Sequence, residues 1–203
     1  MTESEQFYSV LQEKCCGFID LTALQTTLYA HYELLKRWNA RLNLTSVIEV
    51  EKAVVRHYAE SLFLASLIPI ETTSVADIGS GAGFPGFPIA VALPKTQVFL
   101  IESDQRKAAF LRESSDLSSN IRVRCMRSDA YKDRVDAVIG RAVRPADIIK
   151  TARRLAGWYG ILLSHRDAEQ LAGSSGATVT RLPWDDQSAV LTAKISTNVP
   201  RGT

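Results

Sequence analysis

A chain of 203 residues with 46% hydrophobic content can bury one good core but is too short for two full-sized domains, so one domain with an appendage is expected. No run approaches the roughly 20 apolar residues of a membrane helix, and the N-terminal MTESEQFYSV has neither the basic flank nor the apolar core of a secretion signal, which points to a cytoplasmic protein with no membrane role. The net charge of +2 hides a local surplus: from Arg106 to Arg154 there are 13 Lys and Arg against 6 Asp and Glu, an excess suited to a phosphate-bearing partner or to a solvated basic face.

Residues 21 to 44 place Leu21, Leu24, Leu28, Tyr32, Leu35, Trp38 and Leu42 three or four apart, predicting a helix with one apolar stripe. A second helix is expected from about Glu49 to Ser66, stopped near Pro69. These helices form an N-terminal extension over residues 1–70. From Ser74 the rhythm changes. SVADIG, QVFLIE, IRVRCM and VDAVIGR read as strands, and PGFPIAVAL, DQRKAAFLRESSDLS and PADIIKTARRLA read as the helices between them. Such alternation predicts βα units on a mostly parallel sheet over residues 71–203. The tail adds ILLSH, a short helical DAEQLA, a GSSG turn at 173–176, and the strand candidates ATVTRL and SAVLTAKIS. Cys15, Cys16 and Cys125 lack CxxC spacing and are expected as free thiols, and no cluster with metal-ligand spacing appears.

The stretch ADIGSGAGFPG, 76–86, follows the first strand of that sheet, where a loop must let its backbone approach a ligand. It lacks the Gly-Lys-Ser/Thr ending of a phosphate loop, and Phe84 occupies the last glycine position of a dinucleotide fingerprint. What remains is Gly79, Gly81 and Gly83 after Asp77, with Glu102 at the end of the next strand. Glu102 can accept hydrogen bonds from ribose hydroxyls, and Asp77 suits a cationic methionine better than a pyrophosphate. S-adenosylmethionine is therefore the expected cofactor. Arg141 closes the strand VDAVIG at the edge where ligands collect. His57 reads as a core histidine tying the extension, with Arg56 and Glu60, to the rest. Asn39 and Asn43 read as capping or interdomain hydrogen-bonding groups.

WNARLNLTSV at 38–47, VRHYAESL at 55–62, DIGSGAGFPGFPIA at 77–90, ESDQRKAAFLRE at 102–113 and GRAV at 140–143 occur in that order. On these motifs, from about Leu35 to Ser164, the chain resembles the bacterial small-subunit ribosomal RNA methyltransferase family called glucose-inhibited division protein B, or methyltransferase G. The resemblance implies a Rossmann-like class I S-adenosylmethionine-dependent methyltransferase, an α/β fold with antiparallel C-terminal strands and an N-terminal helical extension. It also implies methylation of guanine N7 in 16S rRNA, with the naked RNA or the small ribosomal subunit as partner, no obligate protein partner, and a monomer. Carried over by position, Gly79 and Phe84 would contact the cofactor, Glu102 its ribose, and Asp129 and Ala130 its adenine, while Arg141 would serve both cofactor and catalysis. The cations expected to face RNA are Arg56, Arg106, Lys107, Arg122, Arg124, Arg127, Arg144, Arg153, Arg154 and Arg166. Four positions depart from the family pattern: Glu60 for an aspartate, Ala130 for an acidic residue, and Arg166 and Asp167 for Lys-Gly. Two alternatives stay open, a methyltransferase of another RNA, small molecule or protein, and a nucleic-acid-binding protein without catalysis.

Overall fold

The computed structural model describes residues 1–195, apart from the side chains of residues 174 and 175. Helix α1 (Glu3–Cys15) opens with a capping box in which the Thr2 side chain and Glu5 satisfy each other's backbone N–H, and it buries Phe7, Leu11 and Cys15. Helix α2 (Gln25–Leu42) starts four residues later than the apolar spacing alone suggested, because Leu21–Leu24 form a turn, and Leu21 stays buried. Asn43 ends it in the left-handed conformation, and Asn39 Oδ1 accepts from the Thr45 N–H at 2.9 Å, so both asparagines act as caps. The second expected helix is composite: α3 (Val50–Ala53), a π-helical segment (Val54–Ala59), and α4 (Glu60–Leu67). Such π-segments recur at functional sites because they re-aim side chains.

The remainder is a seven-stranded sheet with β1 (Ser74–Ile78), β2 (Gln97–Glu102), β3 (Ile121–Cys125), β4 (Ala137–Arg141), β5 (Trp158–Ser164), β6 (Thr178–Leu182) and β7 (Asp185–Lys194). The order is β3-β2-β1-β4-β5-β7-β6. The first five strands run parallel, β7 runs antiparallel to β5, and β6 antiparallel to β7. The last residue of SAVLTAKIS, at 196, lies outside the described residues. Helices α5 (Gly86–Ala92), α6 (Gln105–Ser115), α7 (Pro145–Leu155) and α8 (His165–Ser175) connect the strands. Helix α8 runs through most of the expected GSSG turn. Its end comes at Gly176, whose φ of 66° is the left-handed stop that glycine adopts without strain.

One face of the sheet carries α7 and α8 over Ala76, Ile78, Val138 and Ile161. The other carries α4, α5 and α6, with α1 and α2 outside them, and its core runs without a break from Phe7, Leu28 and Tyr58 into Phe87, Leu100 and Phe110. The extension thus shares a core with the sheet across residue 70. Strand order reverses between β1 and β4, and the carboxyl ends of these two strands are where an open α/β sheet offers a crevice. Gly79 leaves one and Arg141 closes the other.

Candidate active site

The loop after β1 is held by main chain. Gly79 and Ser80 N–H groups donate to the Ile101 carbonyl at 2.9 and 3.1 Å, and Gly83 N–H donates to the Ser80 carbonyl at 2.7 Å. Gly79 has φ 72°, and a Cβ there would stand 2.5 Å from Val143 Cγ2, so both handedness and close approach require glycine. The buried Glu102 carboxylate accepts from Gly81 N–H at 3.0 Å and from Asp104 N–H at 2.8 Å. It fixes the loop and keeps further lone pairs able to accept hydrogen bonds.

Asp77 is fully buried beneath the loop, where its Oδ2 accepts from Gly86 N–H at 3.1 Å. Burial pushes its carboxyl up to about 7, against the pull of its hydrogen-bond donors. Its Oδ1 has no hydrogen-bond partner. Gly86, which the motif reading left without a role, matters here: a Cβ on it would meet Asp77 Oδ2 at 2.6 Å and Leu100 at 2.4 Å. Phe84 packs against the helical extension. Its ring stacks on His57 at 4.5 Å between centroids and meets His31 edge-on at 5.4 Å. The ring is thus largely taken up by the helical extension.

A cavity of about 220 Å³ opens beside this loop, lined by Gly79, Ile101, Ser103, Met126, Ser128 and Val143 among others. Asp129 and Ala130, expected at the adenine, are exposed and lie just beyond that lining. Met126, Arg127 and Ser128 line the cavity in front of the two positions carried over from the resemblance. Arg141, expected at cofactor and catalytic centre alike, lines a different cavity of about 370 Å³ together with Arg56, Glu60, Ser164 and Gln187. A larger cavity of about 610 Å³ between α2 and α6 is remote from these strand ends.

In the second cavity Arg141 Nη2 donates to Glu60 Oε2 at 2.9 Å, and Nη1 donates to the Arg56 carbonyl. Glu60 is 3% exposed. Burial raises its carboxyl above the usual range while the Arg141 and Arg56 charges oppose the rise. His57, expected as a tie, accepts or donates through Nε2 to Thr45 Oγ1 at 3.0 Å and bonds the Val47 carbonyl at 3.1 Å. Burial, with the Arg141 charge beside it, pushes the ring down to about 4. Arg56 and His57 lie in the π-segment, and Glu60 is the first residue after it. Between the two cavities runs Ala142, with φ 55°.

The cations expected to face RNA are distributed. Arg127, Arg144 and Arg154 gather around a cavity of about 240 Å³ with Lys150, which sequence reading missed, and with Asp129 and Asp147. Arg154 is committed to holding the loop before β4, through the Tyr131 and Ser128 carbonyls at 2.5 and 2.9 Å. Arg122 and Arg124 sit on the outermost strand β3, Arg122 on the Ser119 and Ile121 carbonyls and Arg124 over the Phe99 ring. Arg106 and Lys107 begin α6, where Asp104 caps their N–H groups. Arg153 and Arg166 are exposed on α7 and α8. Ser164 caps α8 through the Asp167 N–H at 3.1 Å, so the departure at 166–167 falls on a well-formed helix start. Among the described residues, no group of three or more His, Cys, Asp or Glu is placed to hold a metal ion, and no helix is long and apolar enough to cross a membrane.

Comparison with known proteins agrees with this architecture. The magnesium protoporphyrin IX methyltransferase of Synechocystis, solved with bound SAH, superposes with a TM-score of 0.58 at 14% identity over 82% of this chain and 95% of that one. A predicted O-methyltransferase from Agrobacterium tumefaciens gives 0.54 at 25% identity, over 68% and 81% of the two chains. The fold is the Rossmann-like one of class I methyltransferases. Among curated relatives, the ribosomal RNA small subunit methyltransferase G of Nitrosomonas europaea is 42% identical over 61% of this chain, and that match spans 58% of the relative's length. The protein of the same name from Neisseria meningitidis is 36% identical over 83% of this chain and 81% of its own length. With the family described as rRNA small subunit methyltransferase G matching residues 24–174, the chain belongs to the GidB family.

Proposed function

We propose that this protein transfers the methyl group of S-adenosylmethionine to N7 of a guanine in the 16S RNA of the small ribosomal subunit, acting as a monomer in the cytoplasm. The observation that carries the reading is the pair of cavities on either side of Ala142 at the switch point, one against the glycine loop and one against Arg141. The residues of the first cavity fit the cofactor. Ile101, Met126 and Val143 offer an apolar slot, Ser103 and Ser128 offer hydroxyls, and the unpartnered Asp77 Oδ1 beneath the loop supplies negative charge for a cationic methionine.

When bound, the cofactor supplies a methyl group on a sulfonium sulfur. The chain's own residues hold its carrier through the backbone of Gly79 to Gly83 and through Glu102. Arg141, braced by Glu60 and the Arg56 carbonyl, orients the acceptor base. Guanine N7 bears an in-plane lone pair in the neutral base, so no residue has to remove a proton before attack. Alignment is what the protein contributes, and good alignment is worth roughly 7 to 11 kcal/mol. Arg127, Arg144 and Lys150 are the side chains proposed to take RNA phosphate.

The test is methyl transfer from labelled S-adenosylmethionine to small subunits from cells lacking this modification, with the product mapped by cleavage at N7-methylguanine. One labelled guanine is expected. Cofactor binding without label would overturn the substrate while leaving the fold.

A further inference from the structure

The Glu60 carboxylate is half used. Oε2 is taken by Arg141, whereas Oε1 has no hydrogen-bond partner, Arg56 Nε standing 3.9 Å away, beyond hydrogen-bond reach. The side chain is 97% shielded by the protein yet forms part of the wall of the 370 Å³ cavity. A buried charged acceptor left unpaired is costly, and such groups persist where a ligand completes them. Beside it stands Arg141, whose guanidinium has five N–H groups, of which those on Nη2 and Nη1 already serve Glu60 and the Arg56 carbonyl in part. The cavity is thus lined by Arg141 as a donor, with the buried Glu60 carboxylate beside it as an acceptor one oxygen of which is unused.

We infer that Glu60 is a specificity-determining residue that reads the acceptor base: Oε1 accepts the N1–H of guanine while Arg141 donates to O6. This rests on the guanine-N7 reading above. Guanine carries O6 and N1–H next to each other on its Watson–Crick edge, which matches the Arg–Glu pair. Adenine carries an amino group and an unprotonated nitrogen at those positions and would set donor against donor and acceptor against acceptor. Reading O6 and N1–H also leaves N7, on the adjoining Hoogsteen edge beside O6, without a protein partner and free to face the methyl group. Bases taken out of a stack are recognised on this edge by proteins that modify them.

The experiment uses the full chain with a 16S RNA fragment whose target base is guanine, N1-methylguanine or adenine. The wild type should lose about 10- to 100-fold in kcat/KM on N1-methylguanine, the range for one hydrogen bond to a buried charge, and at least as much on adenine. Glu60→Gln should narrow the guanine-to-adenine ratio by about tenfold or more, because its amide can donate to adenine N1, with cofactor affinity unchanged. Glu60→Asp keeps an acceptor and should retain the ratio at a lower rate. A wild type indifferent to N1 methylation, or a Glu60→Gln variant with an unaltered ratio, overturns the inference alone. A wild type that methylates no guanine overturns both it and the reading beneath it. The base series on the wild type needs no variant to fold.

Discussion

Around Gly79 the chain builds with main chain, and around Arg141 it builds with side chains. The loop between β1 and α5 is pinned by N–H groups on the Ile101 carbonyl and the Glu102 carboxylate, all within one βαβ unit. The neighbouring cavity draws Arg56 and Glu60 from the helical extension, Arg141 from β4, and Ser164 and Gln187 from the antiparallel end of the sheet. Backbone bonds within one unit make a cradle that many sequences can share. Long side chains from four distant segments make a cavity that can be retuned residue by residue, which is where a common cofactor and a particular acceptor would be separated.

The sharpest way to break this contrast is Arg141→Ala. It leaves the Glu60 carboxylate buried and unpaired, so stability should fall by about 3 to 5 kcal/mol, and methyl transfer should fall at least about 100-fold. Cofactor affinity, read by calorimetry, should stay within about threefold if the two cavities are independent. An equal loss of affinity would merge them.

Acid should undo the joint between the two regions next. Burial holds His31 down to about 3 and His57 to about 4, both below the usual 6.5. Unfolding lets these rings take up protons the folded state refuses. Their contribution is thus whole above about pH 6.5 and is lost as pH falls toward 4 and 3, about 2 kcal/mol apiece by pH 5. Urea midpoints at pH 7 and pH 5 measure it, and His31→Phe should flatten the dependence.

A smaller effect separates the cradle. Gly79→Ala places a Cβ at φ 72° against Val143 and should cost about 1 to 3 kcal/mol, with cofactor binding weakened and the guanine preference of the residual activity unchanged. The smallest concerns Asp77. Its carboxyl sits near 7, above the unfolded value of 3.8, so its ionisation strains the fold increasingly from pH 3.8 to about 7. Binding a cation there favours the charged form. Cofactor affinity should therefore rise a few-fold between pH 6 and pH 8, whereas Asp77→Asn should bind more weakly, lose that pH dependence and melt higher at pH 8.

What could be read from the amino acids follows the same division. The glycines, Asp77 and Glu102 were legible because a strand-loop-helix is local and its chemistry is written in consecutive residues. The helical stripe from Leu28 to Leu35 was legible for the same reason. Phe84 was ambiguous, since an aromatic beside a ligand loop and an aromatic packed on His57 occupy the same place in the chain. The π-segment that precedes Glu60, and so the register in which Glu60 meets Arg141, is invisible to a 3.6-residue period. The cations were the least legible: charge is visible in a sequence, but whether a guanidinium faces solvent or, like Arg154, the carbonyls of a loop in another part of the chain depends on residues more than 20 positions away.

Ala142 carries a consequence for the path of the chain. In a continued strand Arg141 and Val143 would face the same side, because side chains alternate with a period of two. Instead Arg141 meets the helical extension while Val143 packs with the residues of the opposite face and over Gly79. The left-handed step at Ala142, costing roughly 1 to 2 kcal/mol for a residue with a Cβ, turns the chain between them. Consecutive residues thus border the two chambers, Ala142 one and Val143 the other, so that this stretch of their boundary is held by covalent bonds and not by side-chain packing.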